Sequence, residues 1–236
     1  MFLERYLMPL TYRNTNLITV SPSSKAEILA HKITSKEPAV IYNGINKKVY
    51  LPGEKSPIPT ILYVGRLTAL KSIHVLIKAS KNIIQAVPDV RIIIAGEGAD
   101  RRNLERLVSK YNLQAYFQFT GRVTEPEKIL LYQRAWVFVN PSLIEGWGIT
   151  TIEANACGTP VVASNVPGLR DAVNNPHSGI LIPYGNSKEF ASAISELLTN
   201  ATLRKRMSRE SVMWASRFDW DKSAKDAMEI LMNGGL

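Results

Sequence analysis

The 236-residue chain contains one cysteine and three histidines. A lone thiol, Cys157, excludes an internal disulfide and suits a reducing compartment. His31, His74 and His177 stand far apart in sequence and do not form a metal-ligand set. No stretch approaches the ~18 consecutive apolar residues of a membrane-spanning helix, and mean hydropathy is -0.05. The opening Met1-Phe-Leu-Glu-Arg-Tyr-Leu-Met-Pro-Leu has an early acidic residue and a broken apolar stretch. It lacks the layout of a secretory signal, so a cytoplasmic protein is expected. Internal repeats and low-complexity segments are missing, as are zinc patterns and aromatic RNA-binding motifs. No nucleic-acid partner is expected.

What is present is an ordinary globular composition with a basic balance. Hydrophobic residues make up 45% of the chain, enough for a full core. The net charge is +9. That balance suits anionic partners such as nucleotide-sugar phosphates or lipid phosphates; a solvated basic surface is the plainer alternative.

From Thr60 onward, apolar runs alternate with helical periodicity. Strands are expected at 60–64, 90–95, 117–120, 135–140, 160–164 and 179–183. Helices are expected at 73–86, 101–111, 127–134 and 149–157. Leu76, Ala79, Ile83 and Val87 recur at helical spacing. Alternation of this kind predicts an α/β fold: a Rossmann-like parallel sheet with helices on both faces. The tail, 187–232, reads as a helical C-terminal extension. Before Thr60 the pattern is weaker. Residues 1–42 read as a strand between two helices, the second capped by Ser24 with Glu27 at capping-box spacing. Leu51-Pro-Gly-Glu-Lys-Ser-Pro-Ile-Pro59 reads as an exposed linker.

The densest block of chemistry is Pro141-Ser-Leu-Ile-Glu145-Gly-Trp-Gly148-Ile-Thr-Thr-Ile-Glu153-Ala-Asn-Ala-Cys-Gly158. It follows a predicted strand that ends at the breaker Asn140-Pro141, and it reads as a Gly-rich loop entering a helix. Both glutamates therefore lie at or behind the carboxyl end of a strand, where open α/β sheets bind ligands. The free N–H groups of a helix amino end suit phosphate. On one continuous helix Glu145 and Glu153 would be about 12 Å apart along the axis. The loop leaves their true separation open, so spacing alone does not exclude a glycosidase pair. A second cluster, Val64-Gly65-Arg66-Leu-Thr-Ala-Leu-Lys71-Ser72, puts two cations just past a strand. A planar guanidinium and a mobile ammonium suit a diphosphate; the plain alternative is two surface cations.

These segments resemble the donor-site signature of retaining glycosyltransferases of family 4, which have the GT-B fold. The family separates two glutamates by seven residues and places an aromatic-Gly pair between them, filled here by Trp147-Gly148. Its Val-Gly-Arg and following Lys match Val64 to Lys71, with Ser72 in place of a usual Gly. Ile94-Ala-Gly96-Glu-Gly98, Phe119-Thr-Gly121-Arg122-Val123 and Val40-Ile-Tyr-Asn43-Gly44-Ile45 match in the family's order. The resemblance implies three regions: 1–42 as a remnant of an N-terminal acceptor domain, 43–59 as hinge and linker, and 60–236 as the nucleotide-sugar-binding domain. It implies transfer of a sugar from a nucleotide-diphosphate-sugar co-substrate, with no cofactor and no metal. Arg66, Lys71 and Glu145 would act in catalysis. Gly65, Arg122, Gly146, Trp147, Gly148, Ile149, Thr150 and Glu153 would bind substrate, with Glu153 on the ribose. From its residues alone, Trp147 reads as packing beneath the loop rather than as a ligand contact.

The resemblance also implies a glycan or lipid-linked glycan acceptor, and a peripheral place at the inner membrane surface. With most of the acceptor domain unmatched, the chain is expected to be inactive alone and to self-associate or require a partner chain. The competing reading is a nucleotide-sugar-binding module completed by that partner. Asp219-Trp-Asp221 resembles the metal-binding triplet of GT-A enzymes, but it lies between two predicted helices, where Asp219 reads as a cap. Gly96-Glu-Gly98-Ala-Asp-Arg101 lacks the third glycine of a dinucleotide fingerprint.

Overall fold

The computed structural model describes residues 7–233. Six strands form one parallel sheet: β3 (Thr60–Val64), β4 (Arg91–Ala95), β5 (Phe117–Gly121), β6 (Val137–Asn140), β7 (Val161–Ser164) and β8 (Gly179–Ile182). Their order is β5-β4-β3-β6-β7-β8. A separate parallel pair, β1 (Ile18–Thr19) with β2 (Ala39–Val40), lies before it.

The central strands β3, β6 and β7 are mostly apolar and buried at every position because both faces are covered. Ile61 and Tyr63 of β3 enter one core; Leu62 and Val64 enter the other. The first core is closed by α3 (Ile73–Ala86), α4 (Arg101–Lys110) and α8 (Ser187–Thr199). Leu76 and Ile83 of α3 and Phe190 and Ile194 of α8 are fully buried there. The second core lies under α5 (Glu125–Arg134), α6 (Ile149–Ala156) and the single turn α7 (Leu169–Ala172). Outside α6 packs α9 (Ala201–Ala215), followed by α10 (Trp220–Asn233). No helix among the described residues is long and apolar enough to cross a membrane.

Two helix starts differ from the sequence reading. The N-terminal helices are α1 (Met8–Tyr12) and α2 (Pro22–Ala30). The cap of α2 is Ser21, whose side chain accepts from Ser24 N at 3.1 Å, not Ser24. Pro22 favours that earlier start, since its missing N–H costs nothing in the first turn. Likewise α5 begins at Glu125, behind a Thr124–Glu127 capping box. Of the first helix expected over Phe2 to Met8, residues 2–6 lie outside the described residues, and α1 runs on from Met8.

The 43–59 segment contains no regular element but is tied down along its length. Ile45 N donates to Phe218 O (3.3 Å) and Ser56 N to Arg134 O (2.9 Å). Two stretches, Asn46 to Val49 and Leu51 to Glu54, are continuously exposed; Tyr50 between them and Pro59 are buried.

Candidate active site at the sheet switch point

β3 and β6 are neighbours, yet the chain leaves them in opposite directions. β4 and β5 build outward from β3, while β7 and β8 build outward from β6. The loops after β3 and β6 part at this point and open a crevice at the carboxyl edge, the usual ligand position in open α/β sheets. The crevice holds about 190 Å³. Gly65, Arg66 and Lys71 line it from the β3 side; Asn140, Glu145, Gly148, Ile149 and Thr150 line it from the β6 side. A larger cleft of about 490 Å³ lies over β4 and β5 beside α5. Size does not decide between them. The switch point has the cations, the carboxylate and a helix amino end together.

The β3 loop ends in a short 3-10 turn, Ala69–Lys71. Ser72 follows in the left-handed region (φ +50°), which explains the glycine usual in similar sequences. Its hydroxyl bonds Ala69 O at 3.3 Å and Tyr184 OH at 3.0 Å, which helps hold the turn. Lys71 thereby reaches across the crevice and pairs with Glu145 Oε1. Both side chains are mostly buried, 19% and 16% exposed, so the pair is screened less than a surface one. Arg66 stays exposed at the rim.

Glu145 is also held from behind. Ser142 Oγ lies 3.1 Å from Glu145 Oε1 and 2.7 Å from Asn140 Oδ1. Asn140 and Ser142 are buried at the end of β6. Sequence alone marks Asn140-Pro141 only as a breaker and gives Ser142 no role. Two polar residues at the mouth of a buried strand were the available signal. Just beneath, the Tyr63 hydroxyl is held above the ordinary phenol range by burial and by the Glu145 carboxylate.

α6 starts at the crevice. Its cap, Gly148, has φ +73°, and a side chain there would crowd Leu169. Ile149 and Thr150 supply the first-turn N–H groups that have no intrahelical acceptor.

Glu153 occupies a different place, on the flank of α6 that faces α5, and is 8% exposed. Tyr132 OH donates to its Oε2 at 2.9 Å; Tyr50 OH and Lys128 Nζ donate to its Oε1 at 3.0 and 3.1 Å. Thus, among the described residues, the two glutamates share no partner. Trp147 is packed beneath the loop, 3% exposed, with ring centroids 4.8 Å from Tyr42 and 5.0 Å from Phe218. Gly146 is exposed, and its carbonyl accepts from Ser24 Oγ of α2 at 3.4 Å. Arg122 lines the larger cleft rather than the crevice. The structure thus gathers Gly65, Arg66, Lys71, Glu145, Gly148, Ile149 and Thr150. It sets Gly146, Trp147, Glu153 and Arg122 around them.

The remaining acidic and thiol candidates have local explanations. Asp219 accepts from Asp221 N at 2.9 Å at the start of α10 and pairs with Lys47 at 2.7 Å. Cys157 is buried, and burial pushes its thiol up to about 12. It has no thiolate character near neutrality.

The sequence profile of the glycosyl transferases group 1 family matches residues 47–212. The chain belongs to this family. Over 175 residues it is 34% identical to the D-inositol 3-phosphate glycosyltransferase of Corynebacterium urealyticum, covering 71% of this chain and 41% of that protein. Sucrose-phosphate synthase from Thermosynechococcus elongatus has a TM-score of 0.86 at 28% identity, over 95% of this chain and 60% of that one. Anabaena HepE, solved with UDP and glucose, has a TM-score of 0.87 at 23% identity, over 98% and 66%. That last likeness is one of fold. The expected C-terminal domain of a GT-B glycosyltransferase is therefore what family and fold show. The chain spans about half the length of the curated relatives it matches.

Proposed function

We propose that this chain is the donor half of a retaining glycosyltransferase and binds a nucleoside-diphosphate sugar in the β3–β6 crevice. The observation that carries the reading is the convergence of Arg66, Lys71 and Glu145 at the switch point. A departing diphosphate gathers negative charge as the sugar bond breaks, and preorganised cations stabilise that charge most where water is excluded. Lys71 exchanges its Glu145 partner for a phosphate oxygen, and Arg66 adds a bidentate fork from the rim. Glu145, held by Ser142, then faces the donor sugar. The N–H groups of 146–150 meet sugar hydroxyls and phosphate. Glu153 accepts from the ribose, and the base extends towards the end of β5 at Arg122. In this arrangement the diphosphate is held without a divalent ion, so EDTA should leave nucleotide affinity unchanged.

A second reading is a nucleotide-sugar-binding module completed by a partner chain. Its support is the exposed apolar face of α10, where Trp220, Met228, Leu231 and Met232 are 52%, 56%, 64% and 77% exposed. Calorimetric titration with uridine, guanosine and adenosine diphosphates tests the feature common to both readings. One of the three should bind, and UDP is the first choice because it is bound by the Anabaena protein of the same fold. Binding of none would sink both readings.

A further inference from the structure

Tyr50 belongs to no strand or helix, yet it is 7% exposed. Its hydroxyl lies 3.0 Å from Glu153 Oε1 and also contacts Glu125 Oε1. Lys128 Nζ reaches the same Glu153 oxygen at 3.1 Å and Glu125 Oε2 at 3.0 Å, and it sits over the Tyr50 ring, 5.5 Å from the centroid. The other Glu153 oxygen is held by Tyr132, which is fully buried within α5.

We propose that Tyr50 and a ribose hydroxyl of the nucleotide compete for Glu153 Oε1, so that nucleotide binding releases Tyr50 from α6 and loosens the 45–50 stretch, while Ser56 N–Arg134 O keeps the later part of the segment on α5. The inference rests on the reading of Glu153 as the ribose acceptor. A carboxylate oxygen accepts about two hydrogen bonds, and Tyr50 with Lys128 fill Oε1. A diol that engages this carboxylate must displace a donor. Tyr50 is the donor that leaves at least cost. Its single proton has a second acceptor in Glu125, and its backbone carries no helix with it. Moving the fully buried Tyr132 would require α5 to shift, and Lys128 would give up a charge-assisted bond, which is stronger than a neutral one. Burial and the two neighbouring carboxylates hold the Tyr50 phenol protonated, so it remains a hydrogen-bond donor. The same segment is anchored at its other end to the start of α10, through Lys47–Asp219 at 2.7 Å and Ile45 N–Phe218 O at 3.3 Å. A change at Glu153 is thereby passed along a short, continuous tether to the apolar helix.

The test compares Tyr50→Phe and Glu153→Gln in the full chain. Each is titrated with UDP, GDP and ADP, and with the 2′-deoxy counterpart of the tightest binder. Glu153→Gln should narrow the ribo-to-deoxy affinity ratio. Tyr50→Phe should raise ribonucleotide affinity about 2–10-fold, the worth of one competing hydrogen bond, and widen the ratio. Amide hydrogen exchange over 45–51 should quicken when nucleotide binds the parent chain and should already be quick in Tyr50→Phe. Unchanged or weaker binding by Tyr50→Phe, or exchange that nucleotide does not alter, overturns the competition. The ribose reading survives that result if Glu153→Gln behaves as expected. An undiminished ratio in Glu153→Gln, or no nucleotide binding at all, overturns both.

Discussion

Lys71 and Glu145 meet across the switch point of the sheet, one from each half, as a mostly buried ion pair. A charge pair placed there sets both the sign and the register of what can bind. The lysine suits the phosphates. The carboxylate repels them and favours hydroxyl groups, so on the proposed reading an extended diphosphate-sugar would match the pair end to end.

This pairing makes the two cations unequal. Arg66→Ala should weaken nucleoside-diphosphate binding by roughly 1.5–3 kcal/mol, the range of a charge-assisted hydrogen bond, and barely change binding of the nucleoside. Lys71→Ala should cost at least as much, because it leaves the Glu145 carboxylate unpaired beside the phosphates. Adding Glu145→Gln to Lys71→Ala should recover part of the loss. Calorimetry on the three variants checks the order; equal losses for nucleoside and diphosphate would place the phosphates elsewhere.

The architecture was readable because its central strands are buried on both faces. Runs such as Thr60-Ile-Leu-Tyr-Val64 have no polar break, and the Gly and Pro residues after them mark the ends. The crevice was readable for the same reason: Gly65 and Asn140-Pro141 sit where strands stop, and Gly148 where α6 starts. What escaped was long-range side-chain pairing. Glu153 gives no local sign of burial; Tyr50, 103 positions away, and Tyr132 enclose it only in the fold. Ser142 gained a role only when Glu145 folded back onto it. Local periodicity carries burial, but it does not record which polar atoms meet.

Gly168 offers a backbone test of the sugar loop. Its φ is +79°, and a methyl group there would overlap the Glu145 carbonyl oxygen. Gly168→Ala should therefore push the 145–148 loop outward. A strained backbone position of this kind costs about 1–3 kcal/mol. Thermal melting should fall accordingly, and affinity for UDP-glucose should drop more than affinity for UDP. Equal drops would mean that the loop does not touch the sugar.

Lys55 gives a pH-dependent signature away from the crevice. Its ammonium donates to Thr159 Oγ1 at 2.6 Å, and desolvation lowers its pKa from 10.5 to about 8. Below pH 8 both folded and unfolded chains hold the proton, and the cost of burying the charge is fully present. Between about 8 and 10.5 the unfolded chain binds more protons, so this group's contribution to stability rises with pH. Lys55→Met removes the charge and keeps the stem. It should stabilise the chain at pH 7 by of order 1 kcal/mol, with solvent screening and the lost Thr159 bond limiting the gain. The gain should fade towards pH 10.5. Urea melts at pH 7 and pH 10 check it, and a gain independent of pH would point to packing instead.

The last prediction concerns transfer itself. We expect the 236-residue chain to bind donor without moving the sugar at a useful rate. Transfer needs donor and acceptor held together, and positioning supplies about 7–11 kcal/mol of barrier reduction. The chain provides one rim opposite the sugar loop, where Ser24 Oγ reaches Gly146 O at 3.4 Å and Ser23 N reaches Asp171 at 2.8 Å. The curated relatives it matches are about twice as long, and the apolar residues of α10 face outward. Such a face favours a partner chain or a second copy. UDP-glucose with a broad acceptor panel should give little nucleotide release from the purified chain, and more when cell extract supplies a partner. Sedimentation should show self-association that weakens when Met228 and Leu231 are changed to Ser. Robust acceptor-dependent release by the purified chain alone would show instead that α2 and the 145–150 loop already form a working acceptor site.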